Sequence, residues 1–150
     1  MRRCLIPFFQ EKNDNKHMNV LYYITPKKEV EFLFDDFTIR QALEKMEFHR
    51  YSTIPVLSRE TGKYLYSLRE GDFLWFLKDR KLSFDDFSKH SVSEVRPSRD
   101  VRAVGASADL KELYGLIVGQ NYVPVTDDDG IFIGIVTRQK VLDELLKKAR

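Results

Sequence analysis

Two stretches of this chain lie on one another without a gap, and that internal repeat restricts the fold more than any other feature. Gly62–Leu77, GKYLYSLREGDFLWFL, aligns with Gly130–Leu145, GIFIGIVTRQKVLDEL, at an offset of 68 positions. The second copy reads as a short strand, Ile131 to Val136, because β-branched residues dominate it and Gly lies before and within the run. It turns through Thr137 and Arg138 into a helix whose Val141, Leu142, Leu145 and Leu146 recur on one face. A strand that ends at a helix N-terminus leaves unpaired backbone N–H groups, here beside a Thr hydroxyl and an Arg, and that combination suits an anion. Arg69 matches Thr137, Asp72 matches Lys140 and Leu74 matches Leu142.

The duplication extends beyond these stretches. Ile24–Val30, ITPKKEV, matches Val95–Val101, VRPSRDV, at an offset of 71, and Pro55 in STIPV answers Pro124 in NYVPV at 69. A drift from 71 to 69 to 68 is what small deletions at loops leave in a divergent duplication. Each copy reads β-α-β-β-α. In the first, a strand is expected over Val30–Phe34 and a capping box at Thr38-x-x-Gln41. A helix bearing Ile39, Ala42, Leu43 and Met46 follows, then the run Tyr51–Leu57, where Pro55 places the segment at a strand start or an edge. SRETG turns the chain into the third strand, and Asp72–Leu77 opens the second helix. The second copy repeats the scheme, with Asp109-x-x-Glu112 as its capping box. The organisation is therefore a flexible leader at 1–17, a first repeat at 18–77, a connector at 78–91 with a short capped helix at Ser83–Phe87, and a second repeat at 92–150. Two repeats that each bury part of their apolar surface must pack on one another. The fold class is α+β with pseudo-two-fold symmetry, the sheets packed face to face.

Composition narrows the function by exclusion. The chain of 150 residues carries a net charge of +2, too little to argue for nucleic acid. The lone Cys4 excludes an internal disulfide and suits a reducing, cytoplasmic setting. MRRCLIPFF is too short an apolar run for a signal peptide, and no stretch approaches the roughly 20 apolar residues of a membrane span. His17, His49 and His90 show no metal-ligand spacing with Cys4 or with one another. The chain has no P-loop, GxGxxG, HExxH or GxSxG, and no carboxylate pair suited to general acid–base work. Nothing in it asks for an enzyme.

The paired β-α-β-β-α units, the apolar-Pro strands STIPV and NYVPV and the Gly-led strand-to-helix turns resemble a tandem cystathionine-β-synthase (CBS) domain pair, or Bateman module. The likeness runs from Val20 to Leu146 and extends to stand-alone CBS-pair proteins of Gram-positive bacteria, some of which bind cyclic di-AMP. The resemblance implies a non-catalytic regulatory module, requiring no cofactor, that takes AMP, ADP, ATP or cyclic di-AMP in clefts between its repeats. In the first repeat it assigns adenine contacts to Thr25, Pro26, Ser52, Thr53 and Ile54 and the ribose diol to Asp72, with Lys28 and Arg69 nearby. In the second it assigns Arg96, Pro97, Tyr122 and Val123 to adenine and Thr137 and Arg138 to phosphate, with Arg99 and Lys140 adding positive charge. Both repeats depart from the family's Ser/Thr-x-x-Asp turn. The first has Arg69-x-x-Asp72 and lacks the hydroxyl; the second has Thr137-x-x-Lys140 and lacks the carboxylate. The two sites are therefore expected to differ. Apolar excess on Phe73–Leu77 and Val141–Leu146 points to a homodimer, and any output to an effector would act in trans. The competing reading is an interaction dimer whose nucleotide pockets have degenerated.

Overall fold

The repeat in the sequence is also a repeat in space. A computed structural model describes residues 18–150; the leader at 1–17, with Cys4 and His17, lies outside the described residues. In chain order the elements are β1 (Thr25–Pro26), β2 (Leu33–Phe34), α1 (Ile39–His49), β3 (Thr53–Leu57), β4 (Tyr64–Arg69) and α2 (Glu70–Arg80). The second half contributes β5 (Val104–Gly105), α3 (Leu110–Gly119), β6 (Tyr122–Thr126), β7 (Phe132–Thr137) and α4 (Arg138–Lys148). The expected α+β class is what the chain forms. One sheet has the order β2-β3-β4 and the other β1-β7-β6-β5. In each, the short strand before the repeat's first helix (β2, β5) runs parallel to its neighbour and the next two strands form an antiparallel pair, while β1 joins the second sheet antiparallel to β7.

Local signals hold at most element ends. Thr38 and Gln41 exchange both bonds of their capping box at α1, at 3.1 and 3.0 Å. Ser83 starts a 3₁₀ segment, Phe84–Lys89, where a short helix is expected. Two expectations need correction. Asp109 caps α3 through the Lys111 N–H, in place of a reciprocal box with Glu112. The strand expected over Val30–Phe34 shrinks to Leu33–Phe34, since Lys27–Glu29 is a 3₁₀ turn. The residues between are held from α1 instead: Lys45 Nζ donates to the Phe32 carbonyl and pairs with Glu31, both at 2.9 Å.

The pseudo-two-fold axis passes between matched residues. Lys63 and Ile131 face each other in an isolated antiparallel bridge. Around it, Tyr64 N–H donates to Gly130 O (3.2 Å) and Phe132 N–H donates to Gly62 O (3.1 Å). Each bond is the image of the other under the offset of 68. Both glycines sit at positive φ, +73° and +82°, where a side chain is strained.

The repeats also exchange their lead-ins. Val92 and Val95, which precede the second repeat's strands, are buried in the first repeat's core with Leu33, Ile39, Ile54, Leu68 and Phe73. Val20 and Tyr23, which precede the first repeat's strands, are buried in the second core with Leu113, Val123, Val136 and Val141. Only one lead-in continues as a strand. Thr25–Pro26 pairs with β7, Thr25 opposite Ile135 and Pro26 opposite Gly134. A Cβ on Gly134 would collide with the Thr25 carbonyl oxygen and come within 2.9 Å of the Ile24 side chain. Tyr66 stands at the matching place in β4, and Arg96–Pro97 forms no strand against it. Gly134→Ala is therefore expected to force β1 off β7 and to lower stability by about 1–3 kcal/mol. Urea unfolding should show a lower midpoint at unchanged slope.

Candidate functional site

Where β1 lies along β7, the chain leaves a cleft of about 380 Å³ between the repeats. Val30, Pro55 and Ile135 give it an apolar lining, and its polar lining includes Thr25, Ser52, Thr53, Asn121 and Thr137. That size and that mixture of apolar surface with a few hydroxyls are those of small-molecule sites. Tyr51 and Arg50 stand at the wall, and the Tyr51 ring stacks on His49 at 5.5 Å between centroids. Glu29 and Glu31 make part of the lining acidic. The hydrogen bond from Lys45 holds the Glu31 carboxyl below the usual carboxylate range.

Thr137 is placed by the strand-to-helix turn. Its Oγ accepts from Lys140 N–H at 3.2 Å, capping α4, and the Arg138 N–H donates to Asn121 O at 2.8 Å. The residues expected around it are spent differently. Arg138 turns away to the end of α3, where Nε donates to Ile117 O (2.9 Å) and an Nη to Val118 O (3.2 Å). It satisfies the free carbonyls of a helix C-terminus. Lys140 Nζ donates to the Ile24 carbonyl at 3.2 Å, fastening the lead-in onto the second repeat.

Asp72 does the matching work on the other side, with the opposite polarity. It is buried, and its carboxylate accepts from Arg69 N–H (2.8 Å) and from Ser98 N–H (3.0 Å). The first bond caps α2; the second fastens the second lead-in onto the first repeat. Charge-assisted bonds of this kind contribute roughly 1.5–3 kcal/mol each. The expectation that groups Asp72 with Thr25 and Pro26 is thus corrected, since Asp72 and Thr25 line different cavities. Each carboxylate oxygen accepts one of these bonds, and the residue lines a separate depression with Trp75, Arg96, Pro97 and Ser98.

The grouping by repeat is corrected as well, because the exchange of lead-ins crosses the sites. Thr25, Ser52 and Thr53 meet Thr137 and Tyr122 in the open cleft. Arg69 meets Tyr122 and Val101 in a small crevice. Ile54 and Val123 are fully buried core residues. Pro26 pairs with Gly134 and lies outside the lining, while Lys28 and Arg99 are exposed and line neither cleft. Asn121, Ile135 and Tyr51 were not expected. Asn121 had a signal in the sequence, since the offset of 69 that joins the two prolines also maps Ser52 onto it.

Among the described residues no cluster of three His, Cys, Asp or Glu side chains is placed to hold a metal ion, and no helix is long and apolar enough to cross a membrane. The architecture is an α+β pair of repeats with exchanged lead-ins and a cleft between them. The CBS domain model matches residues 22–79 and 92–147, and the chain belongs to the CBS domain family. Among solved structures it is similar to CbpB in complex with c-di-AMP (TM-score 0.79, 21% identity, 87% of this chain and 85% of that one). A hypothetical conserved protein from Geobacillus kaustophilus gives 0.77 at 28% identity over 87% and 98% of the two chains. CBSX2 in complex with AMP gives 0.69 at 22% identity over 88% and 98%. Comparison with curated proteins finds none that matches.

Tyrosines between the repeats make the module sensitive to alkali. Burial pushes the Tyr64 hydroxyl up to about 12, and burial pushes Tyr122 up as well. An unfolded tyrosine ionises near pH 10, so the unfolded chain loses these protons first. The stability they supply is complete below about pH 10 and is lost as pH rises through the folded values. Urea midpoints followed with phenolate absorbance should fall from about pH 10 upward, and less steeply in Tyr64→Phe.

Proposed function

We propose that this protein is a non-catalytic sensor that holds an adenine nucleotide in the open cleft and passes its occupancy to a partner protein in trans. The observation that carries the reading is the position of that cleft. It joins the lead-in residue Thr25, the apolar-Pro strand at Ser52–Pro55 and the helix-capping Thr137, which belong to different repeats. A ligand bridging them changes how firmly the lead-in is held, and so couples binding to the packing of one half on the other. The base would lie against Val30, Pro55 and Ile135, and phosphate would meet Thr137 at the N-terminus of α4. The AMP and c-di-AMP held by two of the similar structures support the class of ligand.

A thermal-shift panel of AMP, ADP, ATP, S-adenosylmethionine and cyclic di-AMP tests the reading. A ligand present at 100 times its dissociation constant should add about 2.7 kcal/mol of stability. Thr137→Ser should retain binding of the ligand found, while Thr137→Val should weaken a phosphorylated ligand about tenfold, the loss of one hydrogen bond to a charged group. A panel in which no compound moves the transition would remove the proposal.

In that event the second reading stands, an interaction dimer without a ligand. It draws support from Asp72 and Lys140, both committed to holding lead-ins. Either reading includes a homodimer. Leu74 and Trp75 on α2 are 53% and 52% exposed, and Leu142, Leu145 and Leu146 on α4 are 49%, 42% and 63% exposed. Leu74 and Leu142 are matched by the repeat, so two like apolar faces are available to a second copy. Light scattering at micromolar concentration should find a dimer, and Leu74→Glu/Leu142→Glu should convert it to a monomer with unchanged helix content.

A further inference from the structure

We infer that this chain takes one nucleotide and not two, because its own side chains shut the second cleft. The inference rests on the reading of the open cleft as a nucleotide site, but the shutting itself stands on geometry. The offsets that relate the repeats map Val30 onto Val101, Ser52 onto Asn121, Thr137 onto Arg69 and Ile135 onto Ser67, and interchange Thr53 with Tyr122. The first set lines a cleft of about 380 Å³. The second set meets around Thr53, Arg69, Val101, Asn121 and Tyr122, where about 10 Å³ remains. That is space for no more than a single water.

Three replacements account for the difference. Where the open cleft has Thr53 against Ile135, the shut one has Tyr122 against Ser67, joined hydroxyl to hydroxyl at 2.5 Å. The phenol fills the volume a ligand would take, and it is only 8% exposed. Where the open half has Phe132, the other has Tyr64, whose hydroxyl donates to the Val101 carbonyl at 2.7 Å and lies 3.0 Å from Ser67 Oγ. That bond ties the chain following the second lead-in to β4, and Phe132 has no hydroxyl with which to do the same to Val30. Where the open cleft has Thr137, the shut one has Arg69, packed so that its Nε is buried without an acceptor among the described residues. A guanidinium nitrogen in that position costs stability; the packing of Tyr122 and the two tyrosine hydroxyl bonds offset it.

The test separates the seal from the ligand. In a Cys4→Ser background, single cysteines replace Val30 and Val101, the matched lining residues of the open and shut clefts. Val30→Cys should react freely with a thiol reagent and Val101→Cys about tenfold or more slowly, since it reacts only on local opening. Adding Arg69→Thr and Tyr122→Thr should bring the Val101→Cys rate up to that of Val30→Cys; Arg69→Thr with Tyr64→Phe serves if the first pair impairs folding by circular dichroism. Equal rates for the two single cysteines overturn the inference, as does protection that persists in both opened variants. Calorimetric titration with AMP should give one molecule per parent chain and two per opened chain. Two per parent chain overturns the inference. No binding to the parent, with the contrast in thiol rates intact, upholds the shut cleft and removes the nucleotide reading instead.

Discussion

The reciprocal pair of hydrogen bonds at Gly62 and Gly130 is the constraint on which the rest of the structure depends. Each glycine turns its carbonyl toward the other repeat and accepts the N–H that follows the other glycine by two residues. Because Lys63 faces its own counterpart Ile131, the two strand-to-helix units are set by this contact into a fixed antiparallel relation. Everything functional is then a matter of what lies at matched positions on either side. The open cleft, the shut crevice and the paired helices α2 and α4 all follow from one axis and two diverged sets of side chains.

Divergence at the fourth position of the turn shows how charge was reassigned. Asp72 and Lys140 have opposite signs, yet each holds the other repeat's lead-in. The acid takes the Ser98 N–H and the base gives to the Ile24 carbonyl. A backbone offers both a donor and an acceptor, so a lead-in can be fastened by either charge. The departure from the family's turn is therefore a consistent structural solution in both repeats.

The sequence made the architecture legible because duplication leaves a signal that single segments lack. The offsets at Gly62 and Pro55, the Thr38 capping box and the strand-to-helix turns place elements correctly, while the offset at Val95 pairs the strand Thr25–Pro26 with a segment that forms none. The exchange of lead-ins was not legible. An apolar pair such as Val92 and Val95 or Val20 and Tyr23 says that it will be buried, and not in which of two similar cores. That one ambiguity accounts for the mistaken grouping of Asp72 with Thr25. The partners of Arg138 and Lys140 were not legible for a related reason, since a cation beside a helix N-terminus suits a phosphate in sequence, while in space the carbonyls of Ile117, Val118 and Ile24 lie within reach.

The exchanged lead-ins also bear on how the chain comes to be folded. The first core is incomplete until Val92 and Val95 have been made, although every strand and helix of that repeat precedes them. The second core waits in the opposite direction, on Val20 and Tyr23, which are synthesised before any of its own strands. The first half can close only after its own elements and Val95 have been made, and the N-terminal segment has to remain unburied until β7 and α4 arrive. Contacts of such wide sequence separation are slow to form, and domains that cannot fold one by one expose apolar surface for longer. The clasp that makes two repeats into one module thus delays its completion to the end of the chain.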